Sequence, residues 1–384
     1  MEGNMRILSA FPGVALILVV FWEAFETIVL PRRVTRRVRL TRLFYRFTWR
    51  FWSGLVRSLI SSKRQETYLS FYGPISLLLL LILWASGLVV GFALIHWASG
   101  SAINPSHGTA SFSTYLYLSG TTFFTLGLGD VAPHAPFGRG LIAFEAGVGF
   151  GFLALVVGYL PALNQSFSRR EVNISLLDAR SGSPPTAAEM LRRHTYDHGM
   201  EALRQLLHEW ERWSAEFLET HLSYPVLAYF RSQHDNQSWL ASLTMILDTC
   251  ALVIVGVEGA CQRQAELTFA MARHAVVDLS TVFNSPPEEP AQDRLPPAAL
   301  VLLRAALAEA GLRLREGREA DQKLVDLRRM YEPYAYSLSN YFCVKVPPWA
   351  SKAPPTDNWQ TSAWGRNSGF KRVSRSRDIE DQHF

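Results

Sequence analysis

Cysteine is scarce in this chain of 384 residues. Cys250, Cys261 and Cys343 are the only three, all in the later half. They make neither a disulfide framework nor a metal-ligand spacing, and reduced thiols are the plain reading. A Gly-x-Gly-x-x-Gly unit between a strand and a helix is missing, which excludes the dinucleotide-binding fold. No nucleophile–base motif is present, so an enzyme reading has no residues to rest on. His194, His198, His208 and His274 fall at scattered helical spacing, unlike metal ligands. No internal repeat is found, and strand alternation is nearly absent after residue 165. The formal net charge of +5 is modest. It gives no case for a nucleic-acid partner, and its placement says more than its size.

What the chain does have is long apolar runs, three of them before residue 165. Residues 7–30 suffice to span a bilayer of about 30 Å at roughly 1.5 Å per residue. Little basic charge precedes them and no small-residue cleavage site follows, so an uncleaved helix is expected rather than a signal peptide. Glu23 and Glu26 lie one turn apart on it, where they are either functional acids inside a span or partners of the arginines that follow. Those arginines, Arg32, Arg33, Arg36, Arg37, Arg39, Arg42, Arg46, Arg50 and Arg57, with Lys63 and Arg64, form the densest basic stretch. Aromatic and aliphatic residues are interleaved at helical spacing. A voltage-sensor helix would need acidic partner helices and an apolar span around its arginines. An amphipathic helix on the anionic inner leaflet, over residues 32–64, needs neither. Excess Lys and Arg places this segment in the cytoplasm and the N-terminus outside.

Residues 71–95 contain no charged side chain, and a second run at 69–97 is the clearest membrane span. Gly87 and Gly91 provide a small-xxx-small pair for close helix contact. A third run, 141–163, is followed by Arg169 and Arg170. Gly147, Gly149, Gly151 and Gly158 thin its surface, serving either as a candidate gating hinge (Gly147, Gly149, Gly151) or for tight packing. Pro161 is expected to loosen or end that helix.

Between the second and third runs lies Thr121-Thr122-Phe123-Phe124-Thr125-Leu126-Gly127-Leu128-Gly129-Asp130, after a short helical segment at 112–120. A cation leaving water needs oxygen ligands, and consecutive main-chain carbonyls in an extended segment can supply them in stacked rings. Such a backbone enters left-handed dihedrals, which glycine adopts freely. Gly127 and Gly129 fit that demand. The ligands would be the carbonyls of Thr125, Leu126, Gly127 and Leu128 with the Thr125 hydroxyl. The C-terminal end of the preceding helix would favour a cation.

The segment Thr125-Leu126-Gly127-Leu128-Gly129-Asp130 resembles the selectivity-filter signature of the potassium channel superfamily, usually Thr-Val-Gly-Tyr-Gly-Asp. Tyr117-Leu118-Ser119, Thr122 and Pro136-Phe137-Gly138-Arg139 stand where two-helix, pore-loop channels place such residues. The likeness covers about a quarter of the chain. It implies an ion-binding filter at Thr125–Gly129, Asp130 at the outer mouth, and Thr122 and Glu145 as support behind the filter. It also implies K+ as the permeant ion, with no other metal or cofactor. Leu126 and Leu128 replace the usual valine and aromatic residue, and Phe124 a second threonine; these departures bear on selectivity more than on conduction. His107 and His134 flank the mouth, as solvated loop side chains or as pH sensors. One pore loop supplies a quarter of a fourfold ring, so a homotetramer is expected.

The expected fold is an all-α membrane protein: three transmembrane helices, one re-entrant pore helix and filter loop, and a helical cytoplasmic C-terminal domain in a multi-pass protein of the cell membrane. The segments are 1–31 (first helix), 32–68 (basic amphipathic), 69–164 (pore domain), 165–345 (cytoplasmic all-α domain) and 346–384 (disordered tail). In the cytoplasmic part, Leu203, Leu206, Leu207, Trp210, Trp213 and Phe217 form an apolar helical stripe. Residues 238–283 read as one long or two abutting helices, and 300–314 and 322–341 as two more. Residues 239–257 are apolar enough for a fourth span. Asp248 at their centre would cost about 3 kcal/mol there, so a helix buried in the bundle is preferred, with Arg231 as the acid's partner by sign. Two functions are therefore carried forward. One is a tetrameric potassium-conducting channel; the other is a membrane-anchored helical scaffold or sensor with a weakly selective or vestigial pore.

Overall fold

The computed structural model describes residues 8–30, 39–100, 110–232, 237–290 and 292–351. The expectations for His107 and for most of the tail lie outside these residues. Regular structure among them is helical throughout. One antiparallel bridge joins Val257 to Leu314. The chain divides into two compact units, Met1–Gln165 and Ser166–Phe384.

In the first unit, α1 (Ala10–Ala24) ends in a π-helical turn, Phe25–Val29. Then come α2 (Leu40–Leu59), α3 (Ser62–Ser70), α4 (Tyr72–Ala98), α5 (Phe112–Phe123) and α6 (Pro136–Ser181), whose residues after Gln165 belong to the second unit. Helices α1, α4 and α6 are each long and apolar enough to cross a membrane. The small pair on α4 meets α1. A methyl group on Gly91 would lie 2.7 Å from Ile17 Cγ1, one on Gly13 would lie 2.8 Å from the Gly91 carbonyl, and one on Gly87 would lie 3.0 Å from Val20 Cγ2. Backbone-to-backbone approach of this kind replaces the hydrophobic drive that lipid cannot supply.

The two acids of α1 part company. Glu26 meets Arg39 at 3.5 Å, as the pairing expectation has it. Among the described residues Glu23 pairs with no arginine. Its carboxylate accepts from Leu40 N (3.1 Å), Thr41 N (3.0 Å) and Thr41 Oγ1 (2.8 Å). The first N–H groups of α2 lack helical partners and carry the positive end of the helix dipole, so they attract the nearest carboxylate. Helix α2 itself has three faces. Thr41, Tyr45, Trp49, Ser53 and Val56 are buried, with Trp49 edge-on to Tyr72 at 4.8 Å. Leu43, Phe47, Phe51, Leu55 and Leu59 recur every fourth residue and are exposed. Arg42, Arg46, Arg50 and Arg57 lie beside that stripe.

Pro161 neither ends nor interrupts α6, contrary to expectation. The helix runs through it to Ser181 and starts earlier than the apolar run, at Pro136. A proline removes one main-chain donor. A helix of 46 residues keeps the rest of its ladder, and apolar helices tolerate such a gap.

The second unit contains α7 (Ala187–Arg192), α8 (Gly199–Ser223), α9 (Trp239–Gly256), α10 (Gln262–Phe283), α11 (Pro297–Glu309), α12 (Arg318–Arg329) and α13 (Glu332–Phe342). The stripe on α8 is buried, with Trp210, Trp213 and Phe217 ring to ring at 4.4 and 4.8 Å. Helix α9 is the core element. It meets the length and apolarity of a membrane span, yet 94% of it is buried inside the protein, against 11% for the apolar window of α6. The region 238–283 is two helices, parted by the bridge at Val257. The helix expected over 300–314 stops at Glu309, before Gly311 at φ 86°. That over 322–341 breaks into α12 and α13, because Pro333 in the first turn of α13 cannot donate to the preceding helix.

Asp248 is paired with Arg294, not Arg231. Arg294 Nη2 lies 2.6 Å from Oδ2 and Nη1 lies 3.2 Å from Oδ1. The same guanidinium reaches Glu332 at 2.8 Å, and Tyr331 OH donates to Asp248. Arg231 instead donates to the Phe342 carbonyl at 2.6 Å, near the end of α13. Burial pushes the Asp248 carboxyl up to about 6 in spite of Arg294, so it is charged at neutral pH.

Two outcomes follow from this packing. Gly91→Leu forces α1 off α4 and destabilises the solubilised protein by about 1–3 kcal/mol, as overpacking does, read from thermal unfolding. Arg294→Met leaves the buried Asp248 carboxylate without its cation, while Glu332 keeps Arg328 at 3.1 Å. The substitution costs about 3–5 kcal/mol at pH 7.5 and less at pH 5. Without the arginine Asp248 titrates above its present value, so acid neutralises it and relieves the buried charge. Denaturant unfolding at both pH values measures the difference.

Candidate ion-conducting site

The loop after α5 is held by the end of that helix. Phe124 N donates to the Gly120 carbonyl (3.1 Å) and Thr125 N to that of Thr122 (2.9 Å). The Thr121 carbonyl accepts from Leu126 N at 2.8 Å and from Gly127 N at 3.4 Å. Beyond this turn the chain is neither helix nor strand. Thr125, Gly127 and Gly129 stand at φ 57°, 55° and 78°, so alternate residues occupy the left-handed region. The two glycines were expected there, whereas Thr125 was not. A β-branched residue at positive φ carries strain of order 1–3 kcal/mol, and such strain gathers at functional sites.

The carbonyls of Thr125, Leu126, Gly127 and Leu128 accept no hydrogen bond among the described residues. Leu126 and Leu128 are 62% and 63% exposed in the single chain. Four consecutive residues therefore present unpaired main-chain oxygens on an open surface. Asp130 follows, and Tyr117 of α5 donates to its Oδ2 at 3.0 Å, tying the far end of the loop to the helix that precedes it.

Glu145 is fully buried on α6. Its Oε1 accepts from Ser119 Oγ of α5, and its Oε2 lies 3.3 Å from His96 Nε2 of α4. Ser119 Oγ is also 2.8 Å from the Val89 carbonyl. One carboxyl group thus fastens three helices together. The sequence pointed to Glu145 and, within the pore-helix resemblance, to Ser119, but not to His96, whose signal was a histidine at the end of an apolar run. Thr122 contributes through its backbone, since its carbonyl receives Thr125 N and its hydroxyl makes no hydrogen bond among the described residues. His134 shows no specific partner among the described residues.

The three candidate hinge glycines of α6 differ. A methyl group on Gly149 would fall 1.9 Å from the Phe123 carbonyl, at the last turn of α5, whereas Gly147 and Gly151 have nothing within 4 Å. Phe123 packs on Phe152 at 5.8 Å beside this contact. Gly149 is thus where α5 rests on α6, and the helix is continuous through all three positions. No group of metal-ligating side chains occurs among the described residues.

Residues 78–165 match a family model described as Ion channel. The match takes in most of α4, all of α5, the loop and α6 as far as the last residue of the first unit. Over 195 residues the chain is 25% identical to the uncharacterised membrane protein YdjJ of Bacillus subtilis (strain 168); the alignment covers 49% of this chain and 55% of that protein. The chain therefore spans about half the length of this curated relative. No solved structure matches. The family match and the apolar helices point to a membrane protein, one segment of which is similar to an ion-channel family.

Gly149→Ala drives a methyl group into the Phe123 carbonyl, so α5 shifts and the loop it carries moves with it. Gly147→Ala and Gly151→Ala meet open space and leave the fold intact. Comparing thermal stability and loop accessibility of a cysteine placed at Leu128 in the three variants checks this; equal behaviour of all three would refute the contact.

Proposed function

We propose that four copies of this chain assemble into a channel that conducts potassium ions through rings of main-chain oxygens at Thr125–Gly129. The observation that carries the reading is the row of unpaired carbonyls on alternating left-handed backbone, inside a segment that matches an ion-channel family. Irregular backbone at membrane depth persists only where it is buried in protein or lines a water-filled path. Four-fold repetition would give each oxygen row three counterparts around an axis, with the permeant ion taking the place of hydrogen-bond donors. Asp130 then adds negative charge at the outer mouth. Glu145, Ser119 and His96 stand behind the filter as support, not as ion ligands.

In this reading α1, α4 and α6 span the membrane and α5 enters and leaves on the outer side. The basic stretch and Arg169–Arg170 mark the cytoplasmic face. The exposed stripe of α2, flanked by its arginines, lies in the anionic inner leaflet. The exposed apolar face of α6, including Phe144, Phe150, Leu153 and Val157, is covered by the other copies and by lipid. The second unit is cytoplasmic, with α9 as its buried centre.

Reconstituted protein is expected to pass K+ in a liposome flux assay. Gly127→Ala or Gly129→Ala should reduce that flux by at least tenfold while the protein still runs as a tetramer in native mass spectrometry. Undiminished flux in both variants, or a monomer in lipid nanodiscs, defeats the proposal.

A further inference from the structure

The bridge Val257–Leu314 organises a second candidate site, within the second unit. Arg315 N donates to the Gly256 carbonyl at 2.9 Å and Glu258 N to the Arg313 carbonyl at 3.2 Å, so two short extended segments run side by side. Successive side chains on extended backbone face opposite ways. Leu314 is buried, and Arg313 and Arg315 therefore share the outward face. Gly256 sits opposite Arg315 at φ 134°, where a methyl group would come within 3.1 Å of Arg315 Cβ; the glycine leaves space for that arginine to lie across it.

This face walls a cavity of about 620 Å3, within the range of small-molecule sites. Lys323 of α12 and Arg304 of α11 complete its basic lining, and Ile254, Val255 and Ala308 its apolar one. Arg304 is already committed to Asp321 and to the Arg315 carbonyl, at 2.5 and 3.0 Å. Lys323 donates to the Ile254 carbonyl at 2.8 Å at the end of α9 and forms no ion pair among the described residues. Arg313 and Arg315 make no ion pair or side-chain hydrogen bond among the described residues. The acids at the cavity, Glu258 and Glu316, form no ion pair with them either.

We propose that this cavity binds a phosphate-bearing organic anion, with the phosphate gripped by Arg313 and Arg315 and the remainder against the apolar wall. Two guanidinium forks on one extended face suit a tetrahedral anion, since each can donate two parallel hydrogen bonds. Lys323, on the same cavity, adds a point charge. A half-apolar, half-basic cavity fits a phosphate ester better than a free inorganic ion, which would leave the apolar wall uncovered.

The test uses the full chain in detergent, with AMP and glucose 6-phosphate as separate probes and inorganic phosphate as the comparison. Equilibrium dialysis should find at least one ester bound more tightly than phosphate, and the arms tell a nucleotide from a sugar phosphate. Arg313→Gln with Arg315→Gln should weaken that binding by tenfold or more, while Arg263→Gln, an exposed arginine on α10, should not. In the wild-type protein the bound ester should also protect Arg313 and Arg315 from phenylglyoxal, read by peptide mass spectrometry. No ester binding at millimolar concentration, an equal loss in the Arg263 variant, or unprotected Arg313 and Arg315 overturns the proposal. Ion flux is not the readout, so this inference and the channel reading fail separately.

Discussion

A main-chain carbonyl without a donor is an expensive thing to keep out of water. Four residues in a row present such oxygens here, on backbone whose dihedrals alternate into the left-handed region. Neither helix nor sheet can satisfy them in that conformation. Something outside the single chain must, whether water, a cation or a neighbouring copy. The rest of the first unit makes sense as the means of holding this unsatisfied segment in place.

That holding is done from behind by groups of different kinds. The Thr121 carbonyl receives two successive N–H groups of the loop, so the turn out of α5 is fixed by its own backbone. Tyr117 secures the other end through Asp130. Gly149 lets the last turn of α5 rest directly on α6, a contact with no room for a methyl group. Glu145 joins α4, α5 and α6 through His96 and Ser119. Burying a carboxyl group among apolar helices is costly unless partners meet it, and both partners come from other helices. The strain at Thr125 is sustained by this surrounding fixation.

The second unit follows a different logic. Its central helix is as apolar as a membrane span, but neighbouring helices cover it. The single acid on that helix, Asp248, is met by Arg294 and Tyr331, and Arg294 is shared with Glu332. Trp349 lies under both Arg294 and Arg328, at 5.6 and 5.7 Å from ring centre to guanidinium carbon. Charge, aromatic ring and the carbonyl of Pro347 are thereby drawn into one cluster that fastens the segment following α13 to the helical core.

The local rules carried a good part of this. Apolar run lengths located α1, α4 and α6, glycine at alternate positions marked the loop, and helical spacing on α8 named a stripe that is buried. These are properties of short stretches, and a sequence states them directly. Partner choice lay beyond it. Arg231 and Arg294 carry the same charge, and only the path of the chain before α11 brings one of them to Asp248. Glu23 could have met an arginine, but the orphan N–H groups of α2 arrive first. Gly147, Gly149 and Gly151 look alike in sequence, and the direction each faces decides that one bears α5 and two bear nothing. Thr125 takes a positive φ that its own side chain opposes, because the turn around Thr121 fixes it from outside. The sequence by itself determined which segments are apolar, helical or left-handed by need. The tertiary structure decided which groups meet, because a contact between distant residues depends on every fold of chain between them.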